Sequence, residues 1–211
     1  MDEYVDMFGL SPADLKREIL GCADGPASFN AGMNMRGLRV VSVDPIYSLT
    51  TAQIGRRIEE TFPVMMEQLE MNLDAYVWTG ISSPDALAEL RRSSMEQFLA
   101  DFPKGKEEGR YLPGNLGSLP FGDGTFDLAL CSHLLFLYSG ELSVDFHRQA
   151  VAETLRVAAE IRIFPLQTLA GQESPHLEAV CAHIAETGRR FEIKEVDYEF
   201  QRGANRMLRA W

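Results

Sequence analysis

Asp44 closes the apolar, β-branched run Leu38-Arg39-Val40-Val41-Ser42-Val43 and is followed by Pro45. A carboxylate at the carboxyl end of a buried parallel strand can accept hydrogen bonds from both hydroxyls of a ribose. The competing reading is a turn-forming Asp-Pro pair. Gly25, 19 residues earlier, belongs to Gly21-Cys22-Ala23-Asp24-Gly25-Pro26-Ala27, a small-residue turn after an apolar stretch, where a backbone can come close to a ligand. Ser132 and His133 directly follow a third apolar run, Phe126 to Cys131. An imidazole there could take a proton from a hydroxyl or amine, since its ordinary pKa lies near neutrality, or it could simply brace its loop. His147, His176 and His183 fall in helical stretches and read as surface or core residues. Cys22, Cys131 and Cys181 sit in apolar surroundings without metal-ligand spacing and read as buried free thiols.

These side chains need strands that end together. Ser11-Pro12-Ala13-Asp14 predicts a short helical turn, then a strand over 18–22, a turn, and a helix reaching about Arg36. After the strand over 38–43, Ile54, Ile58, Phe62, Met65 and Leu69 recur at helical spacing, with Pro63 a kink or restart. A second helix follows Pro84 with Leu87, Leu90, Phe98 and Leu99 on its apolar face, and Met65, Met66 and Met71 read as core or as pocket lining. The segment from about 49 to 106 is longer than one crossover needs, which predicts a helical insertion after the second strand. A short strand that ends in the stretch Tyr111 to Leu116, and strands over 126–131 and 160–164, alternate with a helix over 143–158, and a helix from Ser174-Pro175 to Gly188 follows. Phe191 to Val196 and Met207 to Trp211 supply two final strands. The stretch joining them, Tyr198 to Asn205, is polar and aromatic enough for a pocket loop, or is a plain connection.

The expected fold is α/β: a three-layer sandwich around a mostly parallel seven-stranded sheet that ends in an antiparallel hairpin, all in one domain over 1–211. In open sheets of this kind the ligand lies across the carboxyl ends of the central strands.

This pattern resembles the class I S-adenosylmethionine-dependent methyltransferases. Their first motif places an acid, then a glycine-rich turn, after the first strand; here Gly25-Pro26 is kept and Ala23 and Ala27 stay small, but Gly21 stands at the acid's position. Asp24 is the candidate replacement, facing the cofactor's amino group. The resemblance further implies that Asp44 holds the ribose, with Pro45, Ile46 and Tyr47 bordering the adenine. Gly114-Asn115-Leu116 then matches the adenine-amino segment, Asn115 retaining a carbonyl acceptor and Leu116 offering its amide. Leu119-Pro120-Phe121-Gly122-Asp123-Gly124-Thr125-Phe126-Asp127 is very similar to a structural stretch of the family. The implied cofactor is S-adenosylmethionine, with S-adenosylhomocysteine as product, Gly21, Ala23, Gly25 and Ser132 among its contacts and His133 as the candidate base beside the acceptor. Alignment and desolvation carry much of a methyl transfer, so a base is not obligatory.

The net charge of −11 argues against a nucleic-acid partner, and the arginine groupings, Arg91-Arg92 and Arg202 to Arg209 among them, read as solvated ends. No Asn-Pro-Pro-Tyr-like segment or Pro-Cys pair marks a base methylator. A small molecule is the expected acceptor, a protein a less favoured one, and the 49–106 segment a candidate for the acceptor pocket or a homodimer contact. No targeting or membrane segment is recognised, so a cytoplasmic protein is expected. Two rivals stand: a degenerate module that binds the cofactor or a nucleoside without turnover, and a nicotinamide-dependent oxidoreductase, disfavoured because the Gly-x-Gly-x-x-Gly spacing is missing.

Overall fold

A computed structural model describes residues 1–211. Seven strands form one sheet: β1 (Ile19–Cys22), β2 (Val40–Val43), β3 (Tyr111–Leu112), β4 (Phe126–Ser132), β5 (Ala158–Phe164), β6 (Phe191–Glu195) and β7 (Arg206–Ala210). Their order is β3-β2-β1-β4-β5-β7-β6. The first five are parallel, while β7 runs antiparallel to both β5 and β6. The chain therefore switches direction across the sheet between β1 and β4, where Cys22 pairs with Cys131.

The strands are buried on both faces, so their residues are nearly all apolar and sort by alternation. Leu20, Cys22, Ala129, Cys131, Ile161 and Ile163 pack under α5 (Val144–Val157) and α6 (Leu177–Glu186). Ile19, Leu128 and Leu130 point to the other face, under α1 (Asp2–Phe8) and α2 (Phe29–Met35). Each fully buried leucine or isoleucine here contributes about 1.5–3 kcal/mol.

Between β2 and β3 lie two long helices. The first, α3 (Thr51–Glu70), starts on a capping box of Thr50 and Gln53, and runs through Pro63 without restarting. The second, α4 (Pro84–Glu107), starts on a Ser83 cap with proline in its first turn. Phe98 and Phe102 of α4 pack with Tyr47, Tyr111, Ile54 and Ile58, so α4 closes the β3 edge and α3 lies on α4. No helix is long and apolar enough to cross a membrane.

Several expectations need correction. Helix α1 was missed. Leu90 is 41% exposed, and Met65 of α3 and Met71, its C-terminal cap, are exposed, so these two methionines are not core. The last strand is shifted by one residue, leaving Trp211 outside it.

Candidate functional site

The turn after β1 is held by its neighbours. Ala23 donates its N–H to Val43 O at 2.8 Å and adopts φ +56°, a left-handed conformation that non-glycine residues rarely take. Gly25 N–H donates to Asp44 Oδ2 at 2.9 Å, and the Tyr47 hydroxyl donates to Gly25 O at 2.8 Å. Asp44 also accepts from Ile46 N–H through Oδ1 at 2.9 Å. Its carboxylate is thus fixed at the end of β2, one lone pair of each oxygen engaged by an amide and the others available. Burial raises its pKa, against the lowering effect of the two amides.

Asp24 turns back toward the strand it follows. Ser42 Oγ donates to its Oδ2 at 2.6 Å and the Tyr4 hydroxyl donates to its Oδ1 at 3.2 Å. Gly21 makes this possible. A Cβ at position 21 would stand 1.9 Å from Asp24 Oδ2 and 2.9 Å from Ser42 Oγ. The carboxylate therefore fills the space that an acid at position 21 would need, and the two arrangements exclude one another. Burial lifts the Asp24 pKa to about 6, with nearby Asp44 adding to the rise and the two hydroxyls opposing it.

Across the switch point, His133 follows β4 with φ +54°, so the two non-glycine residues of left-handed conformation flank the ends of adjacent central strands. Its N–H donates to Phe164 O at 2.7 Å, and its Nδ1 lies 2.6 Å from Ser132 Oγ, an orienting partner that no sequence pattern named. Loss of hydration around the ring, and then the charge of Arg91, push its pKa downward, so the imidazole is neutral at neutral pH.

The third expected segment arrives differently. Gly114 packs against the end of β2, a Cβ there falling 2.6 Å from Val43 Cγ1, so the loop after β3 does meet the Asp44 region. The Asn115 carboxamide, however, turns into its own loop and accepts from Gly117 N–H at 2.7 Å. Leu116 buries its side chain, while its N–H finds no partner within the chain. Pro45 is exposed beside Asp44, whereas Tyr47 is fully buried in the α4 cluster and serves as a support beneath Gly25, not as an adenine border. The Leu119 to Asp127 stretch is braced from α5: Glu153 accepts from Leu119 N–H, and Arg156 reaches Phe121 O and Asp123.

Four contributors had not been singled out. Helix α1 lies over the carboxyl ends of β1 and β4, with Tyr4 on Asp24 and Met7 Sδ 3.9 Å from Ser132 Oγ. Glu3 of the same helix takes a two-pronged pair from Arg91 of α4 and a 2.9 Å bond from the Tyr198 hydroxyl. Arg91 is thus no solvated helix residue. The buried triplet Tyr4, Met7 and Phe8, at i, i+3 and i+4, was the available signal for α1. Ser42, the register partner of Gly21, was readable only once the strand pairing was known. His147 is fully buried, both ring nitrogens facing main-chain carbonyls of Ser143 and Leu135. No cluster of histidine, cysteine or acidic side chains is arranged to hold a metal ion.

No family model matches the chain. It is 31% identical over 208 residues to the uncharacterized protein MJ0045 of Methanocaldococcus jannaschii, spanning 98% of this chain and 91% of that protein. Among solved structures it is similar to a TehB-like SAM-dependent methyltransferase from Corynebacterium glutamicum, with a TM-score of 0.52 and 16% identity over 99% of this chain and 85% of that one. The PH0226 protein from Pyrococcus horikoshii gives a TM-score of 0.51 at 14% identity, over 99% and 87% of the two chains. The sheet order with its antiparallel end, the switch point between β1 and β4 and the near-complete alignment lead to one conclusion: the chain belongs to the family of MJ0045 and has the fold of the class I S-adenosylmethionine-dependent methyltransferases.

Proposed function

We propose that this protein is a cytoplasmic S-adenosylmethionine-dependent methyltransferase acting on a small-molecule acceptor. The observation that supports the reading is the Asp24 carboxylate, which sits in the space a side chain on Gly21 would need, at the switch point and beside a strand-end Asp44 already aimed by two amides. The cofactor would supply a sulfonium-activated methyl group. In this reading Asp44 receives the ribose hydroxyls through its remaining lone pairs, and Asp24 faces the ammonium of the methionine portion. Ala23 and Gly25 give the backbone access, and the Leu116 amide together with Asn115 and Pro45 borders the adenine. Ser132 orients His133, whose neutral ring has Nε2 available to take a proton from an acceptor hydroxyl or amine.

Calorimetric titration with S-adenosylmethionine, and separately with NAD, tests this directly. Binding of the first alone is expected, with Asp44→Ala weakening it by about 10- to 100-fold, since hydrogen bonds to a charged group are worth roughly 1.5–3 kcal/mol. A folded protein that binds NAD, or neither compound, refutes the assignment. Tight binding with no turnover across an acceptor screen would transfer support to a non-catalytic module.

A further inference from the structure

A cavity of about 310 Å³ opens where the α3–α4 connection meets the connection between β6 and β7. That size is at the lower end of the range for small-molecule sites. The two connections are stitched together: Val77 N–H donates to Phe200 O at 2.7 Å, and Arg202 N–H to Ala75 O at 2.8 Å. Their rings are locked by the same pairing. Phe200 stacks on Tyr76 with centroids 4.9 Å apart and meets Trp78 edge-on at 5.5 Å, while Trp78 Nε1–H donates to Leu73 O. Tyr76 and Trp78 line the cavity, so it has an aromatic wall whose orientation is set before any ligand arrives.

The polar part of the lining includes a guanidinium that no carboxylate neutralises. The Arg202 guanidinium is held by the carbonyls of Asp74 and Tyr76, through Nε and Nη2, and forms no ion pair. Its Nη1 is left for a ligand. Ser82 and Ser83 add hydroxyls, and the Ser83 cap puts the positive end of the 24-residue α4 in the same wall. The lining's one acid, Asp74, is exposed and makes no ion pair with Arg202.

Two stretches of chain lead from the cavity wall to residues of the strand-end cluster. Tyr198, which holds Glu3 and packs edge-on against Phe164, is two residues from Phe200. Arg91 follows Ser83 by eight residues on α4, roughly 12 Å along the helix. We propose that this cavity binds the ring and carboxylate of an aromatic acid, and that this acid is the methyl acceptor. The acceptor role rests on the methyltransferase reading; the binding site does not.

Trp78 and Trp211 are the only tryptophans, and Trp211 lies away from the cavity against Arg190 and Arg209. Fluorescence of the Trp211→Phe protein therefore reports on Trp78. Titration with benzoate is expected to quench it saturably, with benzamide and cyclohexanecarboxylate weaker by about tenfold or more, and Arg202→Met to weaken benzoate by about tenfold, as for loss of one charge-assisted hydrogen bond. Calorimetry on the unsubstituted protein gives a second reading if the tryptophan variant folds poorly. Absence of saturation at millimolar benzoate, equal binding of benzamide or cyclohexanecarboxylate, or indifference to Arg202→Met overturns the site. Neither measurement needs cofactor or turnover. Benzoate binding by a protein that ignores S-adenosylmethionine would keep the site and remove the acceptor role, and the converse pattern would remove the site together with its acceptor and leave the methyltransferase reading standing.

Discussion

At the scale of single residues the decisive pair is Gly21 and Asp24. An acid at 21 and the observed Asp24 conformer cannot coexist, because Cβ and Oδ2 would overlap. Gly21→Asp alone is therefore expected to displace Asp24 from Ser42 and Tyr4 and to cost about 1–3 kcal/mol of stability. Asp24→Gly alone would remove the charge. The double variant, Gly21→Asp with Asp24→Gly, returns one carboxylate to the same space, and its affinity for S-adenosylmethionine should recover most of what either single change loses. Failure to recover, with both proteins folded, would show that Asp24 does not serve the cofactor. The titration of Asp24 makes a second mark on the same experiment. Its folded pKa of about 6 lies above the ordinary carboxylate value, so the native state holds this proton more tightly than the unfolded chain. Its contribution to stability is greatest below the unfolded value and is lost as pH rises through about 6. A cationic ligand needs the ionised form, so affinity should fall below about pH 6, by at most about tenfold per pH unit, and Asp24→Asn should flatten that profile.

At the scale of elements, α1 ties together parts that come from far apart in the chain. Glu3 links it to α4 and to Tyr198, while Tyr4 and Met7 rest on the ends of β1 and β4. Arg91 lowers the Glu3 pKa despite its burial, so the pair is ionised at neutral pH. Glu3→Ala should loosen α1 by about 1 kcal/mol, discounted for the pair's partial exposure, and speed amide exchange in α1 roughly fivefold while β4 and β5 keep their protection. Equal acceleration throughout would mean that α1 has no separate opening. This helix also shows where sequence reading stopped. Asp44 and the switch-point strands were legible because apolar runs ending in turn residues carry their own punctuation. Helix α1 has only seven residues and no capping side chain, so its Tyr4, Met7 and Phe8 spacing was easily passed over. Tyr47 was placed wrongly, because a tyrosine just after a strand carries no mark of the α4 aromatics that enclose it. Asn115 was read by type alone, and its bond to Gly117 is a property of the loop's curvature.

At the scale of the whole molecule, the two ends of the parallel strands respond to acid in opposite senses. At the end away from Asp24, Glu160 of β5 accepts from Arg17, Arg162 and Arg209, and Asp14 joins Arg162, tying the segment before β1 to the antiparallel edge. Burial alone would raise Glu160, but the three guanidiniums bring it down to about 2. That stability is complete above the unfolded value and is lost as pH falls toward 2. Glu160→Gln should cost about 2–4 kcal/mol at neutral pH, since it leaves partly buried arginines short of a counter-charge, and should reduce the acid sensitivity of the thermal midpoint. An unchanged midpoint would make the cluster incidental. At the centre of the same sheet, Cys22 and Cys131 are neighbours on adjacent strands, fully buried, and burial pushes the Cys131 thiol up to about 12. Such thiols are chemically silent while the sheet is closed. They make the native protein a clock of its own opening: the pace at which a thiol reagent modifies these two cysteines, followed separately from Cys181 of α6, counts how often β1 and β4 part, and a ligand seated across their ends would slow that count before any product is formed.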